Sequence, residues 1–599
     1  MKRRLLWVML LVLSLLLGLL SGCGRESGSS QEAASSGSVA ETMEAPVEQE
    51  VSKVETPAAQ PEASVAESAL EPESEETMTG DPFVAMAEEY ITYPLEGENT
   101  VSIWYYAPGY VEYVDSNYKF NAIDDAEAAT GVKLEFVEVG NTTAAEQFNL
   151  MVASGDMTDL IPASEYYTGG LTKAYEEDII LDINEFVEEN MPNYAAVFDT
   201  LDEKTQQEAL SDGMMLAFRI IADGSYSGNG FVTRSDWMQD LGVSWDSNLI
   251  SLEEFTDYLR DIHGTFDTPY TYYMTDGTIN LQAAFDTAIP ALVSDGFMTF
   301  VTSAIFREGD TVNSGWITDG YRAYLEWIRT MMDEGVLYED FLSLENSKLV
   351  MNEYCGTGLT GVWTANADKI EETAAYATED DYGVAAVPNV VVDPESPYVW
   401  LQDVSLVTTN VGFSISADCK WPELVCQWMN YFWTTDGYYM ANYGVEGESY
   451  HMEGDTPIFD WDKPITATGK TAPNAEMAQQ LFTMMRFVSF YSDHDRLLPT
   501  FPDSALKAIE TWNADGTDER YYPTTLEAGF TVEENAEIAK YEQDMLTYAQ
   551  ETCLKFMTGE LEITDQTWSD YVATMEEMGI HEVIAVYQDA YDQYLAGER

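Results

Sequence analysis

The sequence is poor in positive charge, histidine and cysteine, and each shortage argues against a class of protein. Its 599 residues include 27 Lys and Arg against 106 Asp and Glu, with four His and five Cys. Nucleic-acid binding needs clustered Lys and Arg against the phosphates, and a formal net charge of -79 argues against it. The same charge disfavours adsorption to anionic membranes. We interpret the acidic excess as a solvated surface that keeps the protein soluble rather than as a site for a cationic ligand.

Signatures of common enzymes are also lacking. The histidines are scattered without an HExxH pattern, and no CxxC pair is present to build a zinc site. Tyr226 stands where a nucleophile elbow needs serine, and the glycine-rich segment 356–361 precedes a strand-like segment, unlike a dinucleotide-binding loop. Carboxylate pairs are abundant, so residue types do not exclude a glycosidase. We expect no catalytic residues, no cofactor and no metal site.

The cysteines after residue 23 are predicted to be packed thiols: Cys355, Cys419, Cys426 and Cys553. On a helix, Cys419 and Cys426 would lie about 10 Å apart along the axis, too far for a disulfide. The segment 513–518 is rich in side-chain oxygens but departs from the EF-hand spacing. An Asx turn is favoured there over a calcium site.

The first 23 residues have the layout of an export signal. Lys2 to Arg4 precede an apolar run from Leu5 to Leu20, which is shorter than the roughly 20 residues that a membrane-spanning helix needs. The run ends in Leu-Ser-Gly-Cys, which resembles the bacterial lipoprotein box. The resemblance implies that residues 1–22 are removed and that Cys23 carries acyl chains, which hold the protein on the outer face of the cell membrane. An ordinary secretion signal is the alternative.

Residues 23–95 are predicted to form a disordered acidic tether. From Gly24 to Gly80 the chain consists mainly of Ser, Ala, Glu, Pro and Gln, with almost no aromatic residues. Such a segment cannot bury enough apolar area to offset its ordering entropy. Like charges extend it, so it would hold a folded body away from the membrane.

The remainder is long and apolar enough for more than one packed body. Apolar residues make up 45% of the sequence and aromatic residues 13%. Single hydrophobic cores stop growing near 250–300 residues, so we expect at least two bodies. The first begins with strand patterns at 101–104, 132–139 and 160–162, separated by helix patterns. This alternation predicts an α/β fold with a parallel sheet.

Aromatic residues follow two of these strands. Trp104 and Tyr105 come at the end of the first, and Glu165 and Tyr166 follow the third. Ligands bind beyond the carboxyl ends of strands in open parallel sheets. Aromatic faces that stack on sugar rings, with an acid to accept hydroxyl hydrogen bonds, would form a binding site here. The alternative is that these rings close the end of the core.

Four segments resemble the lipoprotein branch of the extracellular solute-binding proteins: 148–156, 230–242, 442–450 and 578–595. The resemblance runs from about residue 98 to residue 599. It implies the substrate-binding component of a carbohydrate-uptake ABC importer, which acts as a monomer and docks on the transmembrane subunits of a permease. The implied fold is a two-lobed, periplasmic-binding-protein-like type II fold with a hinge between the lobes.

The expected division assigns 96–208 and 386–445 to the first lobe, and 209–385 and a mainly helical 446–599 to the second.

The resemblance also nominates site residues in the second half of the chain. Gly361-Val-Trp363 resembles the Gly-x-Trp that places a stacking tryptophan in sugar-binding relatives, so that role passes to Trp363. Residues 381–388 resemble the crossover strand that returns to the first lobe, and Trp400, which follows it, is expected to line the cleft. Trp237 is assigned to the site with Arg234 and Asp236, which either contact ligand hydroxyls or form a local ion pair; the ion pair is favoured.

We therefore expect a lipid-anchored receptor that captures a small oligosaccharide or a related polar solute between two lobes, delivers it to a permease and performs no chemistry. The alternative is a surface glycan-binding adhesin or accessory protein without a transport role. The sequence does not specify the solute.

Overall fold

The structure, a computed structural model, describes most of the chain after residue 80. The described residues are 81–106, 122–139, 144–211, 213–224, 226, 228–272, 304–338, 348–391, 406–408, 412–464, 469–472, 475–513, 522, 526 and 530–596. Residues 1–22, Cys23, most of the predicted tether, Trp400 and 514–518 lie outside them. Within these ranges no helix combines the length and the apolar character needed to cross a membrane.

A four-stranded sheet organises the N-terminal part of the chain. Its strand order is Ser414–Ile415, Leu160–Ile161, Asn99–Tyr106 and Val132–Val139. The last three run parallel, and Ser414–Ile415 pairs antiparallel with Leu160–Ile161. Helix Ile123–Thr130 makes the first crossover and ends at Gly131, whose φ of 73° suits glycine. The predicted α/β alternation is therefore confirmed.

A second four-stranded sheet lies later in the sequence. Its order is Val384–Ala386, Asn229–Arg234, Thr360–Asn366 and Tyr270–Tyr272. Asn229–Arg234 is antiparallel to both of its neighbours. Helix Leu252–Thr265 begins at Ser251, whose side chain accepts a hydrogen bond from the Glu254 amide. Helix Asp319–Asp333 begins in the same way at Thr318.

Buried apolar residues group around these two sheets. One group draws on residues 86–221 and 407–491, and we call this part the first lobe. The other draws on residues 231–390 and 505–591, and we call it the second lobe. The chain thus passes between the lobes three times. The expected boundary at 445 differs from this packing, because Tyr450, Phe459 and Phe482 lie in the first lobe's core. Their helix and strand periods gave no indication of which core they would join.

The three passages meet side by side. Ile221–Ala222 pairs parallel with Tyr491–Ser492, and Val407 bridges to Ile221. The Thr408 amide donates to the Ile220 carbonyl at 3.0 Å. This three-segment crossing is where the two lobes are joined within the described chain.

The remaining elements surround the two sheets. In the first lobe, the helices are Pro82–Met86, Ala144–Ser154, Ala163–Tyr166, Gly170–Glu176, Asn184–Asn190, Pro192–Phe198, Glu203–Glu208, Pro422–Asn430, Thr435–Asn442 and Ala475–Phe482, beside the hairpin Tyr450–Glu453 and Thr456–Phe459. In the second lobe, the helices are Ser235–Leu241, Lys348–Gly356, Asp503–Trp512, Val532–Ile538, Glu542–Met557, Asp565–Glu577 and Ile580–Leu595, with the strand pairs Leu249–Ser251 with Asn389–Val391 and Ile305–Glu308 with Thr311–Ser314.

The four described cysteines are free thiols, as predicted for them. Cys355, Cys426 and Cys553 are buried, and Cys419 is partly buried. Burial raises the pKa of Cys553 to about 12, so this thiol stays protonated at neutral pH.

Candidate functional site

A cavity of about 400 Å³ opens at the carboxyl ends of the first lobe's parallel strands. Trp104 and Tyr105 reach it from the end of one strand, and Ser164 and Glu165 reach it from the segment that follows the next. This is the position at which the sheet topology predicts a ligand site. The other residues that line it are Pro162, Ile220, Thr408, Gly412, Phe413, Gln480, Met485, Arg486, Phe490, Ser492 and Arg496.

The strand alternation sends Trp104 and Tyr105 to opposite faces of the sheet. Trp104 packs edge to face on Phe148 and Tyr166, with ring centroids 5.7 and 5.6 Å apart. Tyr105 packs on Phe487 at 5.1 Å. Trp104 is only 2% exposed and Tyr105 3%. Both rings are thus core residues that also form the cavity wall.

Glu165 and Tyr166 have different surroundings although they are adjacent in the short helix Ala163–Tyr166. Glu165 is exposed and lines the cavity, where its carboxylate is available to accept hydrogen bonds. Tyr166 contacts the rings of Trp104 and Phe148 and does not line the cavity. Tyr166 therefore supports the wall that Trp104 provides.

The polar side of the cavity carries two arginines that were not predicted from the sequence. Arg486 donates through Nη1 to Gln480 Oε1 at 2.7 Å, and its guanidinium lies 5.7 Å from the Tyr105 ring centre. Arg496 donates through Nη1 to Ser492 Oγ at 3.0 Å and to the Asp493 carbonyl at 2.5 Å. Burial lowers the pKa of Arg496. Both arginines come from the region assigned by sequence to the second lobe. The available signal was two arginines close together in a chain with few basic residues.

The cavity adjoins the three-segment crossing. Ile220, Thr408 and Ser492, one from each passage, contribute to its wall. A rotation of one lobe about these segments would therefore change the shape of the cavity directly.

The second lobe holds Arg234, Asp236 and Trp237 apart from this cavity. Arg234 is fully buried and donates to Asp236 at 2.8 Å through Nε and at 2.5 Å through Nη2. Glu379 lies 3.5 Å from Nη2, and the rings of Tyr382 and Trp237 lie 4.5 and 4.9 Å from the guanidinium carbon. Burial alone lowers the pKa of Arg234, but Asp236 and Glu379 outweigh it and raise that pKa. The favoured local ion pair is present.

Trp363 is also separate from the cavity. It is fully buried with Val232, Cys355 and Trp512. Its Nε1 has no hydrogen-bond partner among the described residues. This structure thus gives the Trp363 ring no open face, and its stacking role stays a prediction. Trp400 lies outside the described residues.

Comparisons with known proteins agree on one family. The family model for the bacterial extracellular solute-binding protein matches residues 111–439, more than half of the chain. The fructooligosaccharide ABC transporter substrate-binding protein FusA of Streptococcus pneumoniae is 24% identical over 538 residues, which cover 85% of this chain and 93% of FusA.

Solved structures show the same fold. An extracellular solute-binding protein from Bifidobacterium longum subsp. infantis has a TM-score of 0.64 at 17% identity, over 83% of this chain and 99% of the other. FusA in complex with kestose has a TM-score of 0.60 at 16% identity, over 83% of this chain and 100% of FusA. The predicted two-lobed α/β fold is confirmed. The chain belongs to the family of bacterial extracellular solute-binding proteins.

Proposed function

We propose that the protein is the substrate-binding lipoprotein of an ABC importer and that it captures a small oligosaccharide in the first-lobe cavity. The single observation that carries the proposal is the position of the cavity, at the strand ends and against all three passages between the lobes. FusA, which is similar along most of the chain, is a fructooligosaccharide-binding component of such a transporter.

The cavity's chemistry suits a hydroxyl-rich ligand. Its polar groups are the hydroxyls of Ser164, Thr408 and Ser492, the amide of Gln480, the carboxylate of Glu165 and the two guanidinium groups. These groups donate and accept hydrogen bonds beside the aromatic walls, as sugar recognition requires. A volume of about 400 Å³ falls within the roughly 300–1,000 Å³ of small-molecule sites. A saccharide of a few units is the ligand we expect.

The same lining argues against glycoside hydrolysis. Hydrolysis of a glycosidic bond uses a pair of carboxyl groups that flank it. Glu165 is the one carboxylate among the described residues of the cavity wall. We therefore propose binding without chemistry.

Delivery follows from closure of the lobes. A ligand held against the crossing stabilises the arrangement of the lobes to which it binds better, and only that arrangement would dock on the permease subunits. Acylation of Cys23 and a tether after it would keep the receptor at the membrane surface. Mass spectrometry of the N-terminal peptide from the membrane fraction tests the acylation.

Thermal unfolding of the full chain in detergent, against short neutral and acidic oligosaccharides, amino acids and peptides, tests the function. At 100 times its dissociation constant a true ligand should add about 2.7 kcal/mol to the free energy of unfolding. Stabilisation by a saccharide class, with no hydrolysis products on chromatography, is expected. Stabilisation only by amino acids or peptides, or turnover of the saccharide, would refute the oligosaccharide-binding role.

A further inference from the structure

The cavity wall contains an arginine, Arg496, whose charge has no ion-pair partner among the described residues. No carboxylate of the described chain forms an ion pair with Arg496, and its Nε is buried without a hydrogen-bond partner there. Three arginines elsewhere are neutralised by a neighbouring carboxylate: Arg234 by Asp236, Arg260 by Glu334 and Arg329 by Asp333. In a chain with 106 acidic residues, an arginine without an acidic partner is unexpected.

The nearest acids do not fill this role. Asp493 accepts hydrogen bonds from the Tyr438 and Tyr443 hydroxyls, and Asp223 accepts one from His494 Nδ1 at 2.8 Å. These carboxylates act on Arg496 only through their longer-range charge. A buried cationic donor that is left unpaired is unfavourable, so a ligand that supplies an anionic acceptor would bind with a clear advantage.

The charged groups of the described cavity wall are positive on balance. Arg486 lies in the same wall, with its guanidinium oriented by Gln480 and near the Tyr105 ring. Glu165 provides the opposing charge among the described lining residues, and it is exposed. Two guanidinium groups against one carboxylate leave a net positive cavity wall in a strongly acidic protein.

We infer that the captured oligosaccharide is acidic and that Arg496 recognises a carboxylate on it. The inference rests on the proposed function and narrows its substrate class. The planar guanidinium presents donors in a fixed fork that matches a carboxylate, as in a uronic-acid unit. The acidic surface does not prevent entry, since screening at physiological ionic strength limits repulsion to about 8 Å.

The test compares matched ligands on the full chain in detergent by titration calorimetry. The probes are oligomers of two to four galacturonate, glucuronate or mannuronate units, each beside the same oligomer with its carboxyls reduced to alcohols. At least one acid should bind roughly tenfold or more tightly than its reduced partner, because charge-assisted hydrogen bonds are about twice as strong as neutral ones.

The variant Arg496→Gln should weaken binding of that acid by roughly 10- to 100-fold and change binding of its reduced partner by less than about threefold. Arg496→Lys, which keeps the charge without the fork, should be intermediate. Arg260→Gln is the matched control: it removes an exposed arginine that pairs with Glu334 in the second lobe, so both affinities should stay unchanged. If Arg496→Gln does not fold, the inference is tested by the wild-type preference for the acid over its reduced counterpart and by the affinities of Arg496→Lys.

The outcomes separate the two proposals. Equal or tighter binding of reduced or neutral oligosaccharides would overturn the acidic assignment and leave the oligosaccharide receptor intact. If Arg496→Gln lost the same factor of affinity for the acidic oligomer and for its reduced counterpart, Arg496 would have a structural role and its recognition role would be overturned. Tighter binding of sulfated than of carboxylated oligosaccharides would overturn the inference that the recognised group is a carboxylate. If no saccharide binds, the proposed function fails along with the inference.

Discussion

Each lobe contains an arginine in aromatic and polar surroundings, and the two arginines differ in how fully their charge is satisfied. Arg234 in the second lobe has Asp236, Glu379 and two aromatic rings around its guanidinium. Arg496 in the first lobe lines a cavity and has no described ion-pair partner. Both guanidinium groups keep one buried nitrogen without a hydrogen-bond partner among the described residues. The ion pair is therefore what separates the structural arginine from the one that we propose for a ligand.

The largest expected effects come from two buried tryptophans, one chosen from each lobe. Trp104→Ala and Trp363→Ala should each lower the free energy of unfolding by about 3–5 kcal/mol, because each leaves a cavity in a core. Of the two variants, only Trp104→Ala should also weaken ligand binding, because Trp104 lines the first-lobe cavity and Trp363 does not. Denaturant unfolding and calorimetry on both variants measure this. If Trp363→Ala loses affinity and Trp104→Ala keeps it, the site is in the second lobe.

The substitution Arg234→Met should have the next largest effect on the free energy of unfolding. It leaves Asp236 without its bidentate partner and removes two cation–π contacts, so we expect a loss of about 3 kcal/mol in unfolding free energy. Arg260→Met, which breaks an exposed pair, should lose less than about 1 kcal/mol. Ligand affinity should be unchanged in folded Arg234→Met, and a tenfold loss would contradict its structural role.

The smallest effect concerns pH at the three-segment crossing. The hydrogen bond from His494 to Asp223 raises the pKa of His494. The stabilisation is therefore complete below the unfolded-state pKa of about 6.5 and is lost as pH rises through the folded-state value. Because His494 is partly exposed, less than about 1 kcal/mol should disappear between pH 6 and pH 8. His494→Gln should flatten this part of the pH profile in denaturant unfolding; an unchanged profile would exclude His494 as its source.

Local patterns predicted local structure well. The alternation in 132–139 depends on neighbours in sequence, and the strand is present as predicted. The pairing of Ile221 with Tyr491 joins distant segments without a local signal, so the expected position of the third passage differed from the structure. For the same reason Arg486 and Arg496 were not predicted as cavity residues, because their position depends on that passage.

Three of the residues predicted for the site line the cavity, for a related reason. Trp104, Tyr105 and Glu165 follow from strand order, because strand ends in a parallel sheet meet at one edge. The Gly-x-Trp motif at 361–363 fixes a backbone position but does not determine whether the ring faces solvent or core. In this structure the Trp363 ring lies in the core.

Hydrogen–deuterium exchange of the full chain, with and without the saccharide that stabilises it most, tests the position of the site most directly. Binding in the first-lobe cavity should slow exchange in peptides that cover 103–106, 163–166 and 485–496, and leave 234–237 and 361–364 nearly unchanged. Protection confined to the peptides around 234–237 and 361–364 would contradict the first-lobe site.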